Sequence, residues 1–428
     1  MTQKTEAAVL GSGPGGYVAA IRLGQLGKET TLIEKEKLGG VCLNIGCIPS
    51  KALIRVAKLK QRVEAAKQIG LEVTGVNVDF AKVQAWKQGV VDRLVSGVDY
   101  LLKGNNVKLV KGTGKFIDAH QLEVRSESGT EVIEAKDIII ATGSRYFDLP
   151  TFKFNGTTII SSTEALSLQQ VPKNLAIIGG GVSGLEMGTM YAQLGTKVTV
   201  IEMLDQLLPG TDIDLVRIVE RSLRKLGIEY HVKSKAKEYR DGKVYATLED
   251  GKEGAFDADK VLVTVGRRPN SDALGLEKVG VHTDPHGFIQ VNKKMQTNLP
   301  GVYAIGDVVG PPMLAHKASK EGIVAAEVIA GMNSEADFHA IPGVIFTDPE
   351  IATVGLTESQ AKERGYEPII GKFPFTALGR ALLAGETEGF AKIVADKSSN
   401  LILGVHIVGA EASDLISEAA LAIEMGAT

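Results

Sequence analysis

The sequence predicts an α/β fold: two strand–turn–helix–strand units followed by a C-terminal α+β domain. Three observations carry this. Two glycine clusters sit where apolar runs give way to helical patterns, and their surroundings repeat. Three further apolar runs end in glycine and polar residues, as strands of an open α/β sheet do at their carboxyl ends. From Ile341 the pattern changes to the alternation of half-buried strands.

The elements follow in order. Ala7-Ala8-Val9-Leu10 reads as a strand, Gly11-Ser12-Gly13-Pro14-Gly15-Gly16 as its turn, an Ala- and Leu-rich stretch as the helix, and Glu29 to Glu34 as the next strand. The second copy runs Leu175-Ala176-Ile177-Ile178, then Gly179-Gly180-Gly181-Val182-Ser183-Gly184, a helix through Leu194, and Lys197 to Glu202. Further strands end in Ala141-Thr142-Gly143-Ser144, in Val265-Gly266-Arg267-Arg268-Pro269-Asn270 and in Ala304-Ile305-Gly306-Asp307. Each of these alone reads equally well as an ordinary strand-to-loop turn, with Asp307 a helix cap.

Gly11, Gly13 and Gly16, like Gly179, Gly181 and Gly184, keep the G-x-G-x-x-G spacing, and Glu34 and Glu202 each follow the first glycine by 23 residues. The first glycine of such a set permits a tight turn, the second a close approach of backbone amides to a pyrophosphate, the third close helix–strand packing. The carboxylate is placed for an adenosine ribose. Two dinucleotide sites are therefore expected. At the second, no arginine follows Glu202 until Arg217, which favours NAD over NADP, whose 2′-phosphate Glu202 would repel. The first is assigned to FAD, because its acidic strand leads directly into the chain's only two cysteines.

Cys42 and Cys47 lie in Gly39-Gly40-Val41-Cys42-Leu43-Asn44-Ile45-Gly46-Cys47-Ile48-Pro49-Ser50-Lys51. Two small core hydrophobes are one explanation. In a straight helix residues i and i+5 are about 7.5 Å apart in rise, too far for a disulfide, so a bend is required. Asn44 and Gly46 both tolerate unusual backbone angles. The segment after them looks like a helix start with a nearby cation, and both features lower a thiol's pKa. A working dithiol is the better reading.

Composition excludes several classes. The 428 residues are 44% hydrophobic and carry a net charge of −3 with no basic block, unlike a nucleic-acid binder or a polybasic membrane anchor. No apolar signal core or membrane-spanning stretch is evident, so a cytoplasmic location is expected. A cysteine pair poised for oxidation there suggests catalysis.

These ordered motifs resemble the FAD-dependent pyridine nucleotide–disulfide oxidoreductases over essentially the whole chain. Leu43, Ile48 and Glu202 look like the lipoamide branch. The resemblance implies domains at 1–147 (FAD-binding, with the redox disulfide), 148–268 (NAD-binding), 269–338 (completing the FAD domain) and 339–428 (interface). It implies electron transfer from protein-bound dihydrolipoamide through a Cys42–Cys47 disulfide and FAD to NAD⁺, with Cys42 the interchange thiol and Cys47 facing the flavin. Lys51 would lie near the flavin and pair with Glu186, at about 0–1 kcal/mol if the pair is exposed. Asp307 would bind the ribityl or phosphate region, and Met313-Leu314-Ala315-His316 would loop over the flavin. Gly114, Thr142 and Gly143 resemble further FAD contacts, Ala236 and Gly266 backbone positions along NAD.

The implied partners are a lipoyl domain of a 2-oxo acid dehydrogenase or glycine cleavage complex and a second copy of the chain. The family carries a C-terminal His-x-His-Pro-Thr-x-Ser-Glu segment supplying a catalytic histidine and glutamate. Thr428 comes before any such segment. The expectation is therefore a C-terminally truncated chain with an incomplete interface domain, a weakened homodimer and impaired thiol chemistry; the alternatives are an NADH diaphorase or a non-catalytic flavoprotein subunit.

Overall fold

Ala7-Ala8-Val9-Leu10, all buried, end strand Thr2–Leu10 at the centre of a seven-stranded sheet in the computed structural model, which describes residues 2–428. A strand covered on both faces needs a continuous apolar run rather than alternation. Parallel partners flank it: Thr30–Glu34, then Lys108–Lys111, on one side, and Gly129–Ile140 on the other. The long strand Gly129–Ile140 divides its outer edge between two partners. Its first half pairs antiparallel with Gln121–Ser126, which in turn pairs with Thr113–Asp118; Ile138-Ile139-Ile140 pair in parallel with Val302–Ala304.

This sheet belongs to a unit assembled from three stretches of chain: the residues through Pro49, Ala85–Phe147 and Gly266–Asp337. Helices Pro14–Gln25 and Ala315–Ile329 pack together within it, and Gly15 and Gly322 make the close approach possible. A Cβ on Gly15 would stand 2.8 Å from the Ala318 carbonyl oxygen, and one on Gly322 would stand 2.5 Å from that of Gly15.

The second unit comprises Ser50–Gln84, Asp148–Val265 and Phe338–Thr428. Its parallel sheet has the order Glu229–His231, Lys197–Ile201, Asn174–Ile178, Lys260–Val263, Ile159–Ile160. A three-stranded antiparallel meander, Lys235–Arg240, Lys243–Thr247 and Glu253–Asp257, interrupts it at the point in the repeat where the first unit also carries a meander. The C-terminal portion is a five-stranded antiparallel sheet, ordered Gly343–Ile345, Glu350–Gly355, Ile402–Gly409, Phe390–Asp396, Pro368–Pro374, and helix Ala412–Glu424 lies against it. Ile351, Phe390 and Val408 of that sheet share a core with Leu53, Leu185 and Leu215.

Gly40–Ile69 has the length and hydropathy of a bilayer crossing, yet it is a core element. Leu53, Ile54 and Ala57 are buried, and Lys51, Lys58 and Lys60 on the same stretch are ion-paired.

Candidate active site

The two glycine turns match residue for residue. Gly11 has φ +105° and Gly179 φ +102°, in the region that disfavours side chains. A Cβ at Gly11 would meet the Ala141 carbonyl oxygen at 2.4 Å, and one at Gly179 that of Thr264 at 2.6 Å. Gly16 and Gly184 pack as tightly, their added Cβ atoms falling 1.9 Å and 2.4 Å from the carbonyl oxygens of Gly11 and Gly179. Gly13 and Gly181 differ from both. Nothing lies within 4 Å of a Cβ built on either, and each is the N-cap of a 12-residue helix, Pro14–Gln25 or Val182–Gln193. Open backbone at a helix N-terminus, with amides pointing outward and the helix dipole behind them, suits a pyrophosphate.

Each turn is tied to its acidic residue. Glu34 Oε2 accepts from the Ser12 amide at 2.8 Å and from Ser12 Oγ at 2.6 Å, and its Oε1 accepts from the Glu36 amide at 2.8 Å. Glu202 Oε2 accepts from the Gly180 amide at 2.6 Å and its Oε1 from that of Leu204 at 2.7 Å. A carboxylate has about four lone-pair positions, so both retain capacity for ribose hydroxyls. Ala236 lies in strand Lys235–Arg240, just beyond Ser234, whose amide donates to the Glu202 carbonyl at 2.8 Å.

The cysteine segment is pinned to the first turn. The Gly39 amide donates to the Ser12 carbonyl at 3.0 Å, and a Cβ on Gly40 would meet Gly13 Cα at 2.6 Å. Cys42 lies in the short helix Gly40–Ile45, and Cys47 opens the 19-residue helix Cys47–Ala65. The break between them brings the Cα atoms to 4.6 Å, and Cys42 and Cys47 form a disulfide. Of the two residues expected to bend, Gly46 does so, at φ −139° and ψ −109°. Asn44 stays helical, and its amide group donates to the Leu38 and Gly40 carbonyls.

Two motifs distant in sequence meet in the first unit. Ser144–Tyr146 pairs antiparallel with Arg267–Pro269. Thr142 Oγ1 donates to the Asn270 carbonyl at 2.8 Å, and the Asn270 amide groups donate to the Thr142 and Gly143 carbonyls. Asp307 accepts from Ser144 Oγ at 2.6 Å, and Arg267 Nε donates to that same hydroxyl oxygen at 2.7 Å. Gly266, at φ +121°, accepts from the Phe147 amide. Gly114 is buried under Leu10, whose Cδ1 would stand 2.6 Å from an added Cβ. One expectation needs correction: Ala315 and His316 are not loop residues but the first turn of helix Ala315–Ile329, with Leu314 as N-cap.

Lys51 Nζ lies 2.8 Å from Glu186 Oε2 in the second unit. The pair is not the exposed one allowed for from sequence, because the Glu186 side chain is only 7% exposed and that of Lys51 33%. Glu186 sits, buried, on the helix that the second glycine turn starts. Its Oε1 accepts from the Phe346 amide at 2.9 Å, and the Phe346 ring lies under the ammonium at 4.4 Å. Phe346 had no assigned role in the sequence. Its only signal there was position, just past the change of pattern at Ile341. Ser144 and Arg267 each lie within a sequence motif, but their partnership needs strands that only the fold brings together.

The family described as pyridine nucleotide–disulphide oxidoreductase matches residues 5–322, and its dimerisation domain matches residues 341–428. The chain is 49% identical to the dihydrolipoyl dehydrogenase of Bacillus subtilis (strain 168) and 50% identical to that of Geobacillus stearothermophilus. Each alignment covers 99% of this chain and 91% of the relative. Among solved structures it resembles LpdA from Mycobacterium tuberculosis (TM-score 0.91, 27% identity) and the HOCl-induced flavoprotein disulfide reductase RclA from Escherichia coli (TM-score 0.87, 26% identity), covering 99% of this chain and 94% of each of theirs.

Proposed function

The chain belongs to the pyridine nucleotide–disulphide oxidoreductase family, and from that premise we propose that this FAD- and NAD-dependent enzyme oxidises protein-bound dihydrolipoamide. The observation that carries the proposal is the Cys42–Cys47 disulfide, held against the first dinucleotide turn through Gly39 and Gly40.

A thiolate of the substrate attacks Cys42 Sγ, and the Sγ–Sγ bond breaks with its electron pair going to Cys47. The second substrate thiol then attacks the mixed disulfide, releasing Cys42 and closing the cyclic disulfide of lipoamide. The substrate has lost two electrons and two protons: one proton ends on Cys42, and the other, given up to solvent when the attacking thiolate formed, leaves Cys47 as a thiolate. Cys47 suits the leaving role, because it opens a 19-residue helix whose N-terminal dipole favours a thiolate. The chemistry FAD would supply when bound is to take the electron pair from the dithiol and pass it as hydride to NAD⁺.

Gly11, Gly13, Gly16, Glu34, Gly114, Thr142, Gly143, Asp307 and Ala315 hold FAD in this reading, with Lys51 near the flavin. Gly179, Gly181, Gly184, Glu202, Ala236 and Gly266 hold NAD, and Glu186 orients Lys51. The open space at Gly13 and Gly181 and the spare lone pairs on Glu34 and Glu202 fit two dinucleotides. The dimerisation domain supports a homodimer. Phe373, Leu382, Leu383 and Leu421 in this domain are more than half exposed, which leaves apolar side chains for a second copy to cover. The substrate partner proposed is the lipoyl domain of a 2-oxo acid dehydrogenase or glycine cleavage complex.

The test compares Cys42→Ser with the unmodified enzyme. Dihydrolipoamide-dependent formation of NADH should vanish, while NADH-dependent reduction of a dye, which needs the flavin alone, should persist. Cys47→Ser should in addition abolish any long-wavelength thiolate–flavin absorbance. Undiminished dihydrolipoamide turnover by Cys42→Ser would refute the proposal.

A further inference from the structure

Helix Ala315–Ile329 carries a buried i, i+4 ion pair that the proposed reaction does not use. Lys317 Nζ stands 2.7 Å from Glu321 Oε1, with the side chains 9% and 3% exposed. Taking two charges out of water costs several kcal/mol per ion, and replacement of such a pair by apolar residues of similar volume is often neutral or stabilising. Stability alone is therefore a poor reason for this pair.

Its second set of bonds gives a better one. Glu321 Oε2 accepts from the Gly306 amide at 2.7 Å, and Lys317 Nζ donates to the Gly310 carbonyl at 3.3 Å. Those two backbone groups bracket the short 3₁₀ turn Gly306–Val309. Both glycines have positive φ, +77° and +112°, and an added Cβ on Gly306 would come within 3.3 Å of Ala318 Cβ. The turn is thus laid on the helix and gripped at its two ends by one ion pair. Asp307 is its second residue, and its carboxylate is further steered by the Ser144 hydroxyl at 2.6 Å.

We infer that Lys317 and Glu321 are positioning residues for FAD binding, acting through the Gly306–Val309 turn to fix where Asp307 presents its carboxylate. The inference rests on the assignment of Asp307 to the FAD site. Charge-assisted bonds to a backbone amide and a carbonyl set both the height and the tilt of the turn, which an apolar contact, having no direction, does not.

The experiment measures the rate at which the holoenzyme releases FAD, followed by the fluorescence of freed flavin, with far-UV circular dichroism confirming the fold. Lys317→Met with Glu321→Leu should release flavin about tenfold faster, equivalent to about 1.4 kcal/mol. Lys317→Met with Glu321→Gln keeps an acceptor for the Gly306 amide and should recover most of that loss. A release rate for the Met/Leu variant within twofold of the unmodified enzyme overturns the inference, as does an equal loss in the Met/Gln variant, which would mark a merely structural pair. Asp307→Ala separates the two levels. If it retains flavin normally, the Asp307 assignment itself fails; if it loses flavin while the Met/Leu variant does not, only the inference fails.

Discussion

Glu186 holds Lys51 at 2.8 Å through one carboxylate oxygen while the other accepts the Phe346 amide at 2.9 Å. One buried carboxylate thereby fixes a cation from the cysteine-bearing helix and a backbone turn from the C-terminal sheet. Lys51→Ala strands the carboxylate with a single partner. It should cost about 1–3 kcal/mol in urea unfolding, a figure kept low because Lys51 is one-third solvated. Glu186→Gln, which keeps an acceptor for the Phe346 amide, should cost less than Lys51→Ala and still lower turnover.

The Phe346 ring adds a second constraint on the same ammonium, at 4.4 Å from the centroid. Such a contact contributes about 0.5–2 kcal/mol according to how dry it is. Phe346→Leu should therefore alter the visible spectrum of the NADH-reduced enzyme and slow turnover, with KM for NADH little changed. Phe346→Tyr keeps the ring and should restore both; an unchanged spectrum in the leucine variant would mean that Lys51 is held by Glu186 alone.

The glycine turns make a prediction by position. Gly13→Ala and Gly181→Ala place a methyl group in open space, so both variants should fold. Gly13→Ala should lose flavin, and Gly181→Ala should keep it while KM for NADH rises at least tenfold. Gly16→Ala and Gly184→Ala drive a Cβ into a backbone carbonyl and should yield little folded protein. Soluble yield, flavin absorbance and NADH kinetics separate the four.

Glu202 combines a structural and a selective duty. Glu202→Gln keeps an acceptor for one of the Gly180 and Leu204 amides, removes the charge that opposes a 2′-phosphate, and should narrow the preference for NADH over NADPH by about tenfold. The ratio of kcat/KM for the two nucleotides reads it directly. A ratio that does not move would place the discrimination elsewhere.

His406 should make stability depend on pH. Its ring is 1% exposed, Nε2 bonds the Leu356 carbonyl at 3.0 Å, and Nδ1 has no partner among the described residues. Thr353 and Lys392 flank it across the strands, and Lys392 is itself bound to Asp212 at 2.6 Å, with Asp214 nearby. Burial pushes the imidazole below its ordinary 6.5; the Leu356 carbonyl and Asp212 oppose this, and Lys392 adds to it. The unfolded chain therefore binds the proton first as pH falls. Stability should begin to decline as pH falls through about 6.5 and go on declining below it until the folded protein also takes up the proton, and His406→Gln should flatten that slope in urea midpoints.

The glycine turns, both acidic strand ends and the cysteine pair were legible because each is local: a turn, a helix and a strand within some thirty-five residues fix the geometry. The Lys51–Glu186 pair came from resemblance, and its burial was not legible, since exposure depends on what the C-terminal sheet places beside it. Phe346, Ser144 and the Lys317–Glu321 pair carry no local signature. Phe346 acts as much through its backbone amide as through its ring, and a motif made of backbone groups has no residue code. Helical periodicity marks Lys317 and Glu321 as one-face neighbours, but not that the face is buried.

The divided outer edge of strand Gly129–Ile140 bears on how the protein is made. Its antiparallel neighbours lie just upstream in sequence, whereas its parallel neighbour, Val302–Ala304, leaves the ribosome about 10–30 s later at ordinary rates of synthesis. All five strands of the second unit's parallel sheet emerge within that interval. The sheet begun first is thus completed after the parallel sheet of the second unit. Until then Ile138-Ile139-Ile140 present an unpaired, wholly apolar edge, a waiting surface for a chaperone in the nascent protein and the place where a stalled or prematurely ended chain would aggregate.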